Sequence, residues 1–299
     1  MITKLAQVVD LVKSKPKKKL VAAFANDDHT IEAVNHAVEL GIVDAILVGD
    51  EFVIHGVCKQ LNIDVNKFTV IHEPDEMKAA TKSCDLINQK EADILMKGAL
   101  STDKYMRAIL HKEQGLCPPN AVLSHIAVVE NPAYHKLLIA SDCAIIPAPD
   151  LKQKQLILQY IIKTAKAIGI EKPKVAIIAA TEQVSVGMPA CVDAAILSKM
   201  ADRGQIAGGA IVDGPISFDI AVDEETAKTK KMAGGVAGDA DGLLFPNIES
   251  GNIFYKCSTK FNHAEIGAFL AGAKAPCVLS SRADTSLTKL YSIAIAAVL

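Results

Sequence analysis

The feature that most constrains this chain is a rhythm. Short unbroken aliphatic runs recur along it, each followed by a polar turn and then a segment of helical spacing. The runs are KLVAAFA (19–25), DAILVGD (44–50), FTVIH (68–72), ADILMKG (92–98), SHIAVVE (124–130), KLLIASD (136–142), KVAIIAAT (174–181), GGAIVDG (208–214), GLLFPNI (242–248) and APCVLSS (275–281). Between them, Ile31, Val34 and Val38 share a helical face that stops at Gly41, where a helix C-cap favours glycine. Leu158, Ile161, Ile162 and Ala165 do the same within 151–169. Runs that are apolar throughout, rather than alternating, belong to strands covered on both sheet faces. The rhythm therefore predicts an α/β fold with mostly parallel sheets. A chain of 299 residues exceeds the commonest single-domain size, so two domains are expected.

Charge and cysteine usage exclude several function classes. The formal net charge is −2, from 32 basic and 34 acidic residues, which leaves no electrostatic footprint for nucleic acid or an acidic membrane surface. The one basic run, KPKKK at 15–19, reads as a solvated turn before the first strand. Seven cysteines are scattered without a C-x-x-C, which argues against a disulfide framework or thiolate metal site and fits a reducing cytoplasm. The N-terminal stretch lacks a cleavable apolar block, and no run approaches the ~18 apolar residues of a membrane helix. Neither a dinucleotide fingerprint nor a P-loop is present, and no G-x-S-x-G marks a hydrolase. AGGVAG (233–238) reads as a turn, and GDADG (238–242) fails as a calcium loop because Leu243 and Phe245 occupy later ligand positions. The histidines have no metal spacing; His125 and His135 read as structural residues as readily as functional ones.

Three polar clusters follow apolar runs, at the strand ends where α/β sheets bind ligands. In MKGALSTDKYMRAIL (96–110), Lys97 and Gly98 turn the chain, and Ser101 or Thr102 can cap a helix that carries Arg107. That is an anion site or an ordinary capped turn with a surface arginine. In FPNIESGNIFYK (245–256), Asn252 and Lys256 stand one helical turn apart and either line a cleft or only decorate a capped helix. In VLSSRADTSLTKL (278–290), Ser281 and Arg282 pair a hydroxyl donor with a guanidinium, and Asp284 sits where a helix begins. Those groups form an oxyanion or phosphate clamp, or a helix cap with its neutralising arginine.

Taken together, ADILMKGALST, MPACVDAAILSKMADRGQI, VDGPISFDIAV, FPNIESGNIFYK and APCVLSSRAD resemble the phosphate acetyl/butyryltransferase family over nearly the whole chain. The chain's length and its Ser-Arg-Ala-Asp are more similar to the phosphate butyryltransferase branch than to the acetyltransferases, which typically read Ser-Arg-Gly. The resemblance implies an acyltransferase that reversibly moves a short acyl group, butanoyl favoured, between coenzyme A and inorganic phosphate to give an acyl phosphate. It implies the isocitrate/isopropylmalate dehydrogenase-like fold: two α/β domains, 1–120 plus 270–299 and 121–269, with the active site in the cleft between them. It implies a cytoplasmic homo-oligomer without metal or bound cofactor, coenzyme A being a substrate, no nucleic-acid or membrane partner, and an acyl kinase to take the product.

By the same resemblance Ser281 donates to the oxyanion, Arg282 binds phosphate or the thioester carbonyl, and Arg107 binds phosphate. Lys97, Ser101, Thr102, Asn252 and Lys256 contribute to substrate binding. One position departs from the pattern: where acetyltransferases carry an aspartate after the serine, this chain has Thr288. Either Asp284 serves as the base for the thiol, or positive charge from Arg282 and Lys289 favours the thiolate. The alternatives are a phosphate acetyltransferase, a non-catalytic member binding coenzyme A or acyl phosphate, and a metal- and NAD-dependent dehydrogenase of the same fold. The dehydrogenase would draw its ligands from Asp213, Asp219, Asp239 and Asp241.

Overall fold

The structure, a computed structural model, describes residues 2–232, 234–279 and 284–299. In chain order the elements begin α1 (Leu5–Lys13), β1 (Lys18–Ala23), α2 (Asp28–Glu39), β2 (Val43–Gly49), α3 (Glu51–Gln60), β3 (Thr69–His72), α4 (Glu76–Asn88), β4 (Ile94–Lys97) and α5 (Thr102–Leu110). They continue β5 (Ser124–Glu130), β6 (Leu138–Ser141), α6 (Leu151–Ala167), β7 (Lys174–Ile178), α7 (Pro189–Asp202), β8 (Ile211–Ile216), α8 (Phe218–Val222), α9 (Glu224–Thr229), β9 (Gly242–Leu244) and α10 (Ile248–Lys260). The chain ends β10 (Glu265–Ala271), β11 (Cys277–Val278) and α11 (Ser286–Val298).

The alternation survives because strand exits carry helix starts. Asp27, Asp50, Asp75, Ser101, Asp150, Asn247 and Thr285 each cap a helix, the side-chain oxygen accepting an amide of the first turn. Asp150 and Gln153 complete a reciprocal capping box. Strand lengths are trimmed by local chemistry. β8 starts only at Ile211 because Gly208 and Gly209 take positive φ, and β9 stops at Leu244, two residues short of Pro246.

The chain divides into two compact units, a terminal one of Ala6–Leu123 with Gly267–Leu299, and a middle one of Ser124–Ile266 with the residues before Ala6. In the terminal unit the strand order is β3-β2-β1-β4-β11-β10, parallel except for the β10–β11 pair. In the middle unit it is β5-β6-β9-β7-β8, parallel except for β5 against β6. Both are α/β units with mostly parallel strands. Strand β10 lay outside the apolar runs read from sequence, since Glu265 opens it and Gly267 interrupts it. In the fold Gly267 sits where an added Cβ would press on the Tyr291 backbone, so α11 can lie close against the strand.

Leu20, Val21, Leu47, Ile94, Leu95 and Met96 fill the core of the terminal unit with Ile293 and Ile295 of α11. Val128, Ile139, Ile157, Leu158, Ile161, Val175 and Leu243 do so in the middle unit. Each such side chain contributes about 1.5–3 kcal/mol by leaving water. Strand direction then sorts the polar groups. In the terminal unit β1, β2, β3, β4 and β11 all end at one edge of their sheet, and β11 leaves it beside β4, with Val278 opposite Met96. In the middle unit β6, β9, β7 and β8 end at one edge, where antiparallel β5 begins.

Candidate active site

Lys97 closes β4, and its side chain is buried. The ammonium donates to the carbonyl oxygens of Gly98 (3.1 Å) and Leu100 (2.9 Å), so a fixed positive charge shapes the turn from within. Gly98 is required here: a Cβ would collide with the Phe24 and Ala23 carbonyls, whose oxygens accept from the amides of Ala99 (2.8 Å) and Gly98 (2.9 Å). Ser101 caps α5, its hydroxyl accepting from the Lys104 amide at 3.3 Å. Thr102 is the exposed first residue of the helix. Arg107 lies one and a half turns on, its Nε 3.0 Å from Asp103 Oδ2, with side-chain exposures of 71% and 67%. An ion pair that open to water holds weakly, so the guanidinium is available to a stronger anion. Beneath the helix the buried Tyr105 hydroxyl lies 3.2 Å from the Leu95 carbonyl and 3.1 Å from that of Val278, tying α5 to both β4 and β11.

Asp284 is half-buried and directly precedes Thr285, the N-cap of α11. The Thr285 hydroxyl accepts from the Thr288 amide at 3.1 Å and lies 3.1 Å from the Thr288 hydroxyl. Thr285, not Asp284, therefore caps this helix, and Thr288 is drawn into the cap. Lys289, one residue on, is buried. Ser281 and Arg282 lie outside the described residues.

The middle unit gathers a second cluster where β6 and β9 end and β5 begins. Asp142 is buried, and its carboxylate accepts from the Ser124 hydroxyl (2.9 Å), the amides of Ala144 (2.7 Å) and Ile145 (2.8 Å), and the His125 amide (3.3 Å). Ser124 and Ser141 share a further hydroxyl contact at 2.8 Å. Helix α10 sits on this turn through Gly251, where a Cβ would strike the Asp142 carbonyl oxygen, and through Asn252, whose Nδ2 donates to the Cys143 carbonyl at 2.9 Å. The His125 ring meets Tyr255 edge-on, centroids 5.8 Å apart at 72°, and the exposed Lys256 ammonium lies 5.4 Å from the Tyr255 centroid. Burial pushes the His125 imidazole down to about 4, the Asp142 carboxylate opposing the fall and the Lys256 ammonium adding to it. It is neutral at physiological pH.

Of the expected site residues, Lys97, Ser101 and Thr102 come together in one turn, with Arg107 on the helix it starts. Asp284 follows the strand that leaves the sheet beside that turn. Asn252 and Lys256 belong to the other unit and share one helix. Sequence alone does not single out Asp142, Ser124 or Tyr255, and His125 reads there as structural as readily as functional. The legible signal was a serine-aspartate pair at a strand end, Ser141-Asp142.

The four aspartates considered as metal ligands have other roles. Asp239 is 2.8 Å from Lys136 Nζ, 2.5 Å from Lys174 Nζ and 2.9 Å from His135 Nε2, while Asp241 is 2.7 Å from Lys136 Nζ. Burial works against ionisation of Asp239, but its bonds to Lys136, Lys174 and His135 outweigh that and hold its carboxyl well below the usual range. Asp219 takes bonds from Ser217 (2.6 Å) and Lys230 (3.0 Å). Asp213 accepts the Gly214 amide. Among the described residues, no three His, Cys, Asp or Glu side chains form a group that could hold a metal ion.

Chemically, the terminal-unit edge offers cations and helix amides to a polyanion. The second cluster offers an amide and an ammonium on a firmly seated helix. Comparison with known proteins agrees in kind. The family model for phosphate acetyl/butaryl transferase matches residues 3–86 and 74–297. A phosphate butyryltransferase of Clostridium acetobutylicum is 46% identical over 297 residues, covering 99% of this chain and 98% of the relative. A phosphate acetyltransferase of Thermotoga maritima is 40% identical, over 98% of this chain and 99% of its own. The crystal structure of a branched-chain phosphotransacylase from Enterococcus faecalis superposes with a TM-score of 0.81 at 29% identity, covering 93% of this chain and 97% of that one. A match of that extent settles the matter: the chain belongs to the phosphate acetyl/butaryl transferase family.

Proposed function

We propose that this protein transfers a short acyl group reversibly between coenzyme A and inorganic phosphate, with butanoyl as the favoured group. The observation that carries the reading is family membership over nearly the full chain, joined to the Lys97–Arg107 turn beside the strand that leads to Ser281. In the forward direction a phosphate oxygen attacks the thioester carbonyl carbon, the C–S bond breaks, and acyl phosphate leaves with coenzyme A as the other product. Arg107 holds the phosphate, with Lys97, Ser101 and Thr102 supplying the charge and amides around it. Ser281 donates to the carbonyl oxyanion, and Arg282 pairs with phosphate or the carbonyl. Asp284 takes the proton that hydrogen phosphate gives up on attack and passes it to the leaving thiolate, and in the reverse direction it removes the proton from the thiol. A free thiol of pKa ~8.5 is only a few per cent ionised at pH 7, so a base at that point gains rate. Asn252 and Lys256 bind substrate from α10.

The resemblance further supports the isocitrate/isopropylmalate dehydrogenase-like architecture, with domains 1–120 plus 270–299 and 121–269, and homo-oligomers whose acyl phosphate passes to an acyl kinase. Unpaired cysteines support a cytoplasmic setting, and no described helix is long and apolar enough to cross a membrane. Acetyl is the second reading for the acyl group, favoured by the acetyltransferase relative at 40% identity. A thiol-release assay with acetyl-, butanoyl- and isobutanoyl-CoA tests both, run with phosphate and without metal or nicotinamide. Release from butanoyl-CoA well above acetyl-CoA is expected. Predominant acetyl turnover would reverse the substrate assignment, and no release from any of them by folded protein would end the enzymatic one.

A further inference from the structure

We propose that His125 is a positioning residue: its buried ring fixes Tyr255, and through the Tyr255 face the Lys256 ammonium, so that α10 presents its cation in one place. The inference rests on the reading above that Lys256 binds a substrate anion. It also depends on a chain of contacts that sequence separation hides. The Asp142 carboxylate pins the start of β5 by its bonds to Ser124 and the His125 amide. Two further contacts set the register of α10 on the same turn. Gly251 presses on the Asp142 carbonyl, and Asn252 donates to Cys143. A helix so registered can still swing its exposed side chains, and Lys256 is exposed. What limits that swing is the aromatic surface beneath it. The His125 edge meets the Tyr255 ring, and the Lys256 ammonium rests near that ring's face at 5.4 Å. Such edge-to-face and cation–ring contacts are directional, so each passes orientation to the next.

The imidazole acts here as a shape. His125 is only 6% exposed, and among the described residues its buried Nδ1 has no hydrogen-bond partner. An orphaned nitrogen is a cost that phenylalanine would not carry, since it offers the same edge without the polar atom. That distinguishes positioning from an alternative in which the ring nitrogens handle a proton.

The test is steady-state phosphorolysis of butanoyl-CoA by His125→Phe, His125→Ala, Tyr255→Leu and Lys256→Ala proteins, varying each substrate, with isothermal titration of coenzyme A alongside. Lys256→Ala should raise the KM of one anionic substrate by about tenfold, the loss expected for one charge-assisted contact. His125→Ala and Tyr255→Leu should raise the same KM severalfold with kcat little changed, and His125→Phe should restore it. Unchanged KM in Tyr255→Leu, or in a folded His125→Ala, overturns the inference. So does a His125→Phe protein as impaired as the alanine variant, because the nitrogens are then in use. If Lys256→Ala alters neither KM nor coenzyme A binding, the substrate role of Lys256 falls instead, and the inference with it. Should His125→Ala fail to fold, Tyr255→Leu and His125→Phe still decide.

Discussion

After β4 the chain turns on a buried lysine whose ammonium feeds the carbonyls of its own turn; after β6 it turns on a buried aspartate whose carboxylate collects the amides of its own turn. The two solutions are mirror images in charge, and they leave opposite groups unspent. Lys97 consumes carbonyls, and the Arg107 guanidinium on the helix that follows is held only by the exposed Asp103. Asp142 consumes amides, so those donors are spent inside the turn. On the proposed reading an incoming phosphate is drawn to the first. On that reading the β4 turn binds, while the β6 turn holds α10 through Gly251 and Asn252.

The largest expected effect comes from breaking the second turn. Asp142→Ala leaves the Ser124 hydroxyl and three backbone amides without their acceptor inside the middle unit. Stranding buried donors of a charged partner costs about 3–5 kcal/mol. Urea unfolding of the variant should show that loss as a lower midpoint. A variant that keeps its stability and loses only phosphate affinity would reverse the assignment of the two turns.

Acid should pick out the same turn next. The folded His125 sits at about 4 against an ordinary 6.5, so the folded protein keeps it neutral while the unfolded chain takes up a proton between those values. Its burial therefore carries no protonation-linked cost above pH ~6.5 and a progressively larger one as pH falls to ~4, at most about 3 kcal/mol. His125→Phe should flatten stability across that window. A second loss would remain at lower pH, where protonation of Asp239 releases its bonds to Lys136 and Lys174. A variant whose stability falls as steeply as the parent's between pH 6.5 and 4 would locate the acid sensitivity elsewhere.

The difference between the turns also explains what was legible beforehand. The β4 turn is local: Lys97, Gly98, Ser101 and Arg107 are close in sequence, so the strand end and the helix cap can be read together. The β6 turn joins Ser124, Ser141 and Asp142 to His125, whose ring meets Tyr255, because β5 runs antiparallel to β6 and α10 returns to the same edge. No local pattern encodes that pairing, and a buried histidine looks like any other in sequence. The fold was readable for the same reason in reverse. Unbroken apolar runs mark strands whatever their partners, so only Glu265–Ala271, opened by a charge and broken by a glycine, was lost.

Arg107 gives a cleaner, smaller break. Its present partner is a solvent-exposed aspartate one turn away, and such pairs contribute about 0–1 kcal/mol. Arg107→Ala should therefore leave the unfolding midpoint almost unmoved. Its effect should appear in kcat/KM for phosphate, reduced by about 10–100-fold, the equivalent of about 1.5–3 kcal/mol for a charge-assisted contact. Asp103→Ala sharpens the result, because freeing the guanidinium should hold or improve phosphate affinity. If Arg107→Ala costs stability while phosphate kinetics stay level, the exposed pair is structural and the β4 turn binds nothing.

The smallest effect tests how α11 begins. Thr285 caps it and also touches the Thr288 hydroxyl, so both threonines are engaged at the position where acetyltransferases place an aspartate. Thr285→Ala should cost about 1 kcal/mol, the usual loss for a removed N-cap. Thr285→Asp should recover it, since a carboxylate accepts the same amide and suits the positive helix end. Activity separates two consequences. If Asp284 ionises the thiol, a frayed first turn moves the residue next to it, and Thr285→Ala should lower kcat while Thr285→Asp restores it. If positive charge alone favours the thiolate, the added carboxylate opposes it, and Thr285→Asp should be stable yet slower than the parent. The pair of variants thus converts a one-kilocalorie cap into a decision between a base and a field.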